Sequence, residues 1–312
     1  MLIFLQTSAA WFIPNLHTRS IIVVYKSSNS NSSGGYPDMK PVKFVHLTDT
    51  HMNAPGKDGQ FAKFQLADKV VQVFRHIEET GIAPAFVLIT GDLSHEGDAE
   101  DYAHIRKLLD EGSERIGAPV HVVLGNHDHR GPFREGYLGE QPSEEPYYYS
   151  HTIDGLRLIG LNTQVPGSHN GNLDETQFSW LKQELQTPAP KGTVIGLHHP
   201  LLSIGGVLGD HILANREQVG QALSGTDVVA VLAGHVHSNN IGSYHGVLNV
   251  AAAGTAFAGE MADAEHFRMV DACSYNIVSV SPGEGVSIQT VALPTSGTEF
   301  FKFSFAALAA QH

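Results

Sequence analysis

The stretch VKFVHLTDTH at residues 42–51 is an apolar, β-rich run that leads into Asp49 and His51. Four later runs have the same character, and each leads into Gly, Asp, Asn or His residues: AFVLITGD (85–92), VHVVLGNHD (120–128), VIGLHHP (194–200) and VVAVLAGH (228–235). Continuous apolar runs of this length are typical of strands buried on both faces of a sheet. The sequence therefore predicts a sheet whose strands end in polar residues.

Segments with helical spacing lie between these runs. Residues 65–81 place Leu66, Val70, Phe74 and Ile77 on one side of a helix, and Gly81 is a typical stop. Similar patterns occupy residues 98–112, 173–185 and 215–223, whereas 146–162 predicts a β-hairpin and 240–292 predicts mostly antiparallel strands. The fold class is therefore α/β, with sheet layered between helices. Residues 41–295 are expected to form one catalytic domain, followed by a tail at 296–312.

The first 40 residues are expected to be a flexible extension. The apolar part of this segment is broken by Pro14 and polar residues, is too short to span a bilayer and lacks the features of a secretory signal. The stretch KSSNSNSSGG (26–35) that follows has the composition of a flexible linker. We therefore expect residues 1–38 to be dispensable for folding and expect no stable membrane insertion. A membrane-associating N-terminus is the alternative.

The composition limits the partners. The chain has 312 residues, 42% of them hydrophobic, which is enough for a substantial core. The net charge of −13 argues against a long nucleic acid as partner, because such binders present a basic face. The single cysteine, Cys273, excludes an intrachain disulfide and fits a reducing compartment, so we expect a cytoplasmic protein. The sequence leaves room for a homodimer.

The residues at the ends of the predicted strands form a pattern suited to metal binding, because ligand sites in open α/β sheets lie at strand ends. Asp49 and His51 are two residues apart, so in an extended chain their side chains would project to the same side and grip one cation. His235 and His237 repeat this spacing, and Asp92 can bridge two metals. Asn126 can coordinate through its amide oxygen while His127 faces the substrate, and His198 offers a further ligand. Each motif alone is weak evidence for a metal site, because such short motifs also occur by chance. Five of them in order, each after an apolar run, are specific for metal binding.

In this order, D-x-H (49–51), G-D (91–92), G-N-H-D (125–128), H-H-P (198–200) and G-H-x-H (234–237) resemble the calcineurin-like metallophosphoesterase superfamily. The resemblance implies a four-layer sandwich of two mixed β-sheets flanked by helices. It also implies that His127 is a catalytic acid that contacts the phosphate or protonates the leaving group, with Asp128 nearby to orient it. The implied ligands are Asp49, His51, Asp92 and His237 for the first metal, and Asp92, Asn126, His198 and His235 for the second.

Two cations held in this way would stabilise the attacking and departing oxygens, and a hydroxide shared between them is nucleophilic near neutral pH. Mixed nitrogen and oxygen ligands suit Fe, Mn or Zn better than Mg or Ca. The LTDTH, GNHD and LHHP segments are similar to the bacterial branch that contains 3′,5′-cyclic-nucleotide phosphodiesterases and glycerophosphodiesterases. That similarity favours a small phosphodiester as substrate. Asn162 departs from this branch, whose members commonly have Asp there, and the Gly-rich loop 201–215 is a candidate lid.

Two alternatives stay open at this stage. A broad phosphomonoesterase or phosphoprotein phosphatase would be distinguished by an anion-binding pair of arginines, and only Arg130 and Arg134 lie near a motif. A non-catalytic scaffold would require a decayed site, which the intact motifs argue against. Three histidines lie beside the motifs. His129 is expected to be exposed and His199 structural, whereas His95 is expected to be a solvated loop residue, with a place in the pocket wall as the alternative.

Overall fold

The computed structural model describes residues 21–25, 40–57, 59–203 and 212–304. Most of the predicted lid, at residues 204–211, lies outside the described residues, and so do residues 305–312 of the predicted tail. Within the described ranges, no helix has both the length and the apolar character needed to cross a membrane.

The first sheet is mixed and carries the first three apolar runs side by side. Its six strands, in spatial order, are β1 (Ile21–Tyr25), β14 (Gly285–Leu293), β13 (Cys273–Ser281), β2 (Val42–Leu47), β3 (Val87–Thr90) and β4 (Val120–Val123). Strands β2, β3 and β4 are parallel to one another, whereas the other neighbours are antiparallel. The parallel arrangement brings the carboxyl ends of β2 to β4 to one edge.

The second sheet is also mixed and carries the last two runs. Its strands, in spatial order, are β5 (Tyr149–Ile153), β6 (Leu156–Gly160), β7 (Thr193–Gly196), β8 (Val228–Ala233), β10 (Val247–Ala251) and β9 (Asn240–Tyr244). Strands β6, β7, β8 and β10 are parallel. A small antiparallel sheet contains β11 (Ala258–Met261), β12 (His266–Val270) and β15 (Glu299–Ser304).

Four of the α-helices in the described residues fall where apolar spacing predicted them, whereas a single turn after the GNHD motif was not predicted. The α-helices are α1 (Leu66–Glu79), α2 (Ala99–Ile116), the single turn α3 (Arg130–Phe133), α4 (Glu175–Glu184) and α5 (Arg216–Leu223). A short 3-10 helix (Gly59–Phe64) precedes α1, and a π-turn (Arg134–Leu138) follows α3. The predicted hairpin at 146–162 is also confirmed, because β5 and β6 pair across a turn at Asp154 and Gly155.

Three of the buried clusters in the described residues lie between the layers of the fold. Between the two sheets, Phe44 and Leu88 pack with Val194 of the opposite sheet in one buried cluster. On the outer face of the first sheet, α1 and α2 cover a second cluster, and on the outer face of the second sheet α4 and α5 cover a third. The order helix, sheet, sheet, helix is the predicted four-layer sandwich, which is confirmed.

The structure departs from the predicted domain boundaries at both ends. Strand β1 lies inside the segment predicted to be a flexible extension, yet it pairs with β14 along five residues, from Ile21 opposite Thr290 to Tyr25 opposite Val286. Strand β15 lies inside the predicted tail and pairs with β12. Both strands contain β-branched or aromatic residues, which are typical of strands. The flanking segments are polar or rich in small residues, so the sequence pattern did not predict a strand in either place.

Candidate metal centre

The loops after the parallel strands meet at one edge of both sheets and are joined by backbone hydrogen bonds. In the first sheet, Asp49 N–H donates to the Gly91 carbonyl at 3.0 Å. In the second sheet, Gly234 N–H donates to the His198 carbonyl at 3.0 Å. His235 N–H connects the two sheets, because it donates to the Asp49 carboxylate at 3.1 Å. The five motifs therefore converge in space, as the sequence predicted.

The backbone at the proposed ligands is not extended, so this part of the prediction was wrong. Instead, φ is in the left-handed region at Asp49 (52°), His51 (44°), Asp92 (49°), His235 (71°) and His237 (51°). For a residue other than glycine this conformation costs about 1–2 kcal/mol, so it is uncommon. Such strain is concentrated at binding sites, where the surrounding structure enforces it. Here the left-handed backbone makes a sharp bend after each strand, and the bend directs the side chain toward the other proposed ligands.

The first predicted ligand group is assembled. Each of Asp49, His51, Asp92 and His237 offers one ligand atom, and these atoms all lie within 4.8 Å of one another. His237 Nε2 lies 3.3 Å from Asp49 Oδ1 and 3.2 Å from His51 Nε2. All four residues are buried. Carboxylate oxygens and imidazole nitrogens at these separations can surround one cation.

The second predicted group lies beside the first and shares Asp92. His198 Nε2 is 3.3 Å from Asp92 Oδ2 and 3.0 Å from Asn126 Oδ1. The rings of His198 and His235 have centroids 5.0 Å apart. Asp92 Oδ2 is also 3.7 Å from His51 Nε2, so one carboxylate reaches imidazoles of both groups. This placement supports the bridging role assigned to Asp92.

Backbone carbonyls orient two of the imidazoles. His198 Nδ1–H donates to the Thr90 carbonyl at 2.8 Å, and His237 Nδ1–H donates to the Phe257 carbonyl at 3.1 Å. A ring whose Nδ1 carries the proton presents the lone pair of Nε2. In both residues Nε2 is the atom that faces the ligand cluster. Hydrogen bonds of this kind fix the tautomer and ring orientation of metal-binding histidines.

The electrostatics of the cluster also fit bound cations. Burial by itself would raise the pKa of Asp92, but contacts with His198 and His51 outweigh burial and hold it well below its usual range. Burial lowers the pKa of His198, yet the nearby Asp92 carboxylate raises it to about 9. Burial raises the pKa of Asp49. A cation bound between these groups would displace the proton from His198 and compensate the buried carboxylates.

His127 lies beside the ligands without belonging to either group. Its backbone N–H donates to Asp92 Oδ1 at 2.9 Å, and its ring centroid is 5.3 Å from that of His51. The side chain of His127 is 21% exposed, whereas that of His51 is 2% exposed. A partly exposed imidazole next to a buried cluster can reach a bound substrate, as the prediction for His127 requires.

The structure contradicts the orienting role expected of Asp128. Its carboxylate faces backbone amides and a tyrosine rather than the His127 ring. It accepts hydrogen bonds at 2.8–3.1 Å from Leu93 N, Ser94 N, Gly125 N and Tyr102 Oη. Burial and the neighbouring Asp92 raise the pKa of Asp128 to about 6. Asp128 therefore fastens the loop after β4 to the loop after β3.

Three side chains at the centre were missed by the sequence prediction. Glu96 Oε1 accepts a hydrogen bond from His127 Nδ1–H at 2.8 Å. His169 Nδ1 accepts one from Asn126 Nδ2 at 3.0 Å. The Phe257 ring stacks on His237 with centroids 4.5 Å apart. These residues come from loops outside the five motifs, so spacing along the chain gave no signal for them.

Of the three histidines beside the motifs, His199 and His129 are as the sequence predicted, whereas His95 lies at the site. His199 is buried, burial lowers its pKa to about 3, and its Nδ1 lies 2.8 Å from Thr163 Oγ1. This combination is typical of a neutral structural histidine. His129 is half exposed. The His95 ring lies against the His127 ring, with centroids 4.6 Å apart and planes tilted by 31°, so it contributes to the wall of the site.

Both arginines near the GNHD motif are engaged by protein groups. Arg130 donates to Asn162 Oδ1 at 2.8 Å and to Gln164 Oε1 at 3.0 Å, and Arg134 donates to Glu140 Oε2 at 2.8 Å. Asn162, the departure from the bacterial branch, therefore contacts Arg130. The contacts of these arginines argue against a paired-arginine clamp for a phosphate dianion.

A cavity of about 250 Å³ opens beside the second ligand group. Its wall includes Asn126, Glu96, Arg130, Gln164 and His169. Because Asn126 belongs to the predicted ligand set, a substrate in this cavity would adjoin the metal centre. The wall mixes hydrogen-bond donors and acceptors, which suits a polar substituent of a phosphoester.

The buried carboxylate, amide and imidazole cluster at the ends of parallel strands defines a metal-dependent phosphoester hydrolase. A sequence model of the calcineurin-like phosphoesterases matches residues 42–239. The chain belongs to this family.

Two relatives resemble the chain over most of its length. One is a Mycobacterium tuberculosis protein named cAMP/cGMP dual specificity phosphodiesterase, 35% identical over 220 residues, with 70% of this chain and 68% of that protein covered. The other is a Rhodococcus erythropolis protein named "Probable cyclic nucleotide phosphodiesterase", 34% identical over 231 residues, with 73% and 75% covered. The predicted resemblance to the bacterial cyclic-nucleotide branch is confirmed.

Comparison with solved structures agrees on the fold. GAP50, the anchor in the inner membrane complex of Plasmodium, superposes with a TM-score of 0.53. The two chains are 14% identical, and the match covers 85% of this chain and 88% of that one. At this level of identity the likeness concerns the fold alone.

Proposed function

We propose that the protein is a dinuclear metal-dependent phosphodiesterase that hydrolyses small phosphodiesters, with 3′,5′-cyclic nucleotides as the preferred substrates. The observation that carries this proposal is the position of Asp92, whose Oδ2 lies 3.7 Å from His51 Nε2 and 3.3 Å from His198 Nε2. A carboxylate shared between two buried ligand groups is the arrangement that a two-metal site requires. The names of the two relatives support the choice of substrate.

The proposed metal ligands are the seven residues of the two groups. Asp49, His51, Asp92 and His237 would hold one cation, and Asp92, Asn126, His198 and His235 would hold the other. When bound, the two cations supply an activated water and neutralise charge that develops on the phosphate oxygens. The mixed nitrogen and oxygen donors favour Fe, Mn or Zn as the native metals.

Side chains around the proposed metal site would bind the substrate and protonate its leaving group. The partly exposed His127 ring lies next to the ligand cluster, where it can donate a proton to the leaving oxygen. Asn126 and His169 face the adjoining cavity, where the group attached to the phosphate would lie. Asp128 would act indirectly, by holding the His127 loop against the loop after β3.

The preference for diesters follows from charge. A phosphodiester carries one negative charge, whereas a monoester carries about two near neutral pH and needs a further cationic group. Arg130 and Arg134 are occupied by Gln164 and Glu140. The net charge of −13 also disfavours a dianionic substrate. The buried free thiol of Cys273 is compatible with the cytoplasmic location that we propose for this activity.

The proposal is tested by comparing three substrates: 3′,5′-cyclic AMP, bis(p-nitrophenyl) phosphate and p-nitrophenyl phosphate. Metal-stripped protein would be supplied in turn with Mn²⁺, Fe²⁺, Zn²⁺ or Mg²⁺. We expect metal-dependent cleavage of both diesters at rates above that of the monoester. A monoester preference would instead identify a phosphomonoesterase. Stoichiometric metal binding without turnover of any of the three compounds would identify a scaffold.

A further inference from the structure

Lys69 is a buried lysine on α1, outside the five motifs. The residue is only 7% exposed, which is rare for lysine unless its ammonium group is paired. The ammonium group donates to Asp271 Oδ1 at 2.6 Å, to the Ala272 carbonyl at 2.9 Å and to the Ala256 carbonyl. Because an ammonium group has three protons, these three acceptors use its full capacity to donate hydrogen bonds.

Asp271 compensates the buried charge of Lys69. It lies between β12 and β13, and its Oδ2 accepts a hydrogen bond from Ser296 N–H at 2.9 Å. Burial by itself would raise the pKa of Asp271, but hydrogen bonds from Lys69 and Ser296 outweigh burial and hold it below its usual range. A buried ion pair adds little net stability compared with apolar residues of the same size. Its more specific consequence here is the position of the groups that it holds.

The third acceptor, Ala256, belongs to a segment that contacts the first ligand group. Ala256 N–H donates to the Asp49 carbonyl at 3.0 Å. The carbonyl of the next residue, Phe257, accepts a hydrogen bond from His237 Nδ1–H at 3.1 Å. The Phe257 ring also stacks on the rings of His237 and His51, with centroids 4.5 Å and 5.1 Å apart. Three of the four proposed ligands in the first group therefore contact Ala256 or Phe257.

We propose that the ion pair of Lys69 and Asp271 positions the first metal site: Lys69 holds the Ala256 carbonyl, and the Phe257 carbonyl in turn orients the His237 ring so that Nε2 faces the cation. The Ala256 carbonyl and the Phe257 nitrogen belong to one planar peptide unit, so holding that carbonyl fixes the direction in which the chain enters Phe257. Neither Lys69 nor Asp271 is a proposed ligand, so both are positioning residues. This inference rests on the two-metal site of the proposed function.

The expected effect is confined to one of the two metals. Removal of a group that orients a metal-binding histidine costs about 10–10²-fold in metal affinity. Lys69 acts on His237 through the neighbouring peptide, so we expect the lower end of that range, about 10-fold. The second group is oriented differently, since His198 donates to the Thr90 carbonyl of β3. Its affinity for a metal should therefore not depend on Lys69.

The informative variant replaces both members of the ion pair, as Lys69→Met together with Asp271→Asn. It removes one charge of each sign, so the net charge around the metals is unchanged. It also leaves no unpaired buried charge, which either single substitution would leave and which would be strongly destabilising. Loss of the positive charge alone would strengthen the binding of a nearby cation, which is opposite in sign to the effect of lost positioning.

The test measures Mn²⁺ binding to the full chain in two backgrounds, with free Mn²⁺ followed by electron paramagnetic resonance. His235→Ala leaves the first ligand group intact, whereas His237→Ala leaves the second intact. In the His235→Ala background, we expect the double substitution at 69 and 271 to raise the Kd for the remaining Mn²⁺ by about 10-fold. In the His237→Ala background, we expect the Kd to stay the same.

Lys63→Met is a matched control, because Lys63 is exposed and lies over the Phe64 ring, 4.8 Å from its centroid. It should leave the Kd unchanged in both backgrounds. An unchanged Kd after loss of the ion pair in the His235→Ala background would overturn the inference, and so would equal weakening in the two backgrounds, which indicates a general loss of structure. Wild-type protein that binds fewer than two Mn²⁺ ions would instead overturn the proposed two-metal site.

Discussion

Gly125 allows the loop after β4 to approach Asp92, the proposed shared ligand, and adding one methyl group there should disrupt both proposed metal sites. A Cβ at position 125 would lie 2.1 Å from Asp92 Oδ1 and 2.4 Å from the Asp92 backbone nitrogen. A carbon and an oxygen in non-bonded contact need about 3.3 Å, so Asp92 or β4 must move by about 1 Å. Because the backbone atom is close as well, rotation of the side chain cannot relieve the clash.

The expected cost can be estimated in two ways. Overpacking of a well-packed interior costs about 1–3 kcal/mol, so Gly125→Ala should remain folded. A displacement of about 1 Å at an active site can reduce turnover by about 10²-fold. Since Asp92 belongs to both ligand groups, we expect the variant to lose affinity for both metals together.

The assay is metal content by inductively coupled plasma mass spectrometry after dialysis, together with turnover of bis(p-nitrophenyl) phosphate. Gly242→Ala is a matched control, because its added Cβ would meet only the end of the Leu202 side chain, at 3.0 Å. This control should keep both metals and wild-type turnover. Full metal content and full turnover in Gly125→Ala would refute the geometry inferred around Asp92.

Three further predictions follow from the same structure. Asp92→Ala should lose both metals, as measured by metal analysis, and loss of only one would show that Asp92 does not bridge. His127→Ala should keep both metals but lose about 10²–10⁴-fold in turnover of 3′,5′-cyclic AMP, the range of general acid catalysis; wild-type turnover would contradict its assigned role. Burial lowers the pKa of His46 to about 3, so below about pH 6.5 the unfolded chain binds a proton that the folded protein does not. The free energy of unfolding should therefore fall as the pH drops from 6.5 toward 3, by up to about 1.4 kcal/mol per pH unit from this residue. When the free energy of unfolding is measured by urea titration at several pH values, it should fall less steeply with decreasing pH in His46→Gln than in wild type. An equal pH dependence in the two proteins would contradict the role assigned to His46.

Much of the fold could be predicted because its core strands are continuous apolar runs. The runs that became β2, β3, β4, β7 and β8 are bounded by Gly, Asp, Asn and His, so their limits were visible. The helices were equally clear where apolar spacing persisted, as in α1. Strands β1 and β15 were missed because each lies next to a polar or small-residue segment and pairs at a sheet edge. Such pairings depend on distant partners, which local patterns do not identify.

The proximity of the proposed ligands could be predicted because each of them closely follows a strand, and parallel strands end at one edge. The backbone conformation that brings these side chains together could not be predicted, because the left-handed backbone at Asp49 and His51 is imposed by tertiary hydrogen bonds. The partner of His127 was missed for a related reason. Glu96 lies 31 residues before His127 and reaches it only through the loop between β3 and α2. Asp128 is adjacent in sequence, but adjacent residues point in different directions, and its carboxylate faces backbone amides.

A phosphodiesterase with two metals bridged by Asp92 needs both ions for turnover. The most direct test is titration of metal-stripped protein with Mn²⁺ while turnover of bis(p-nitrophenyl) phosphate and bound metal are measured on the same samples. We expect negligible turnover without metal and a rise to a plateau at two bound ions per chain. A plateau at one bound ion, or diester turnover in the absence of metal, would contradict the proposed two-metal site.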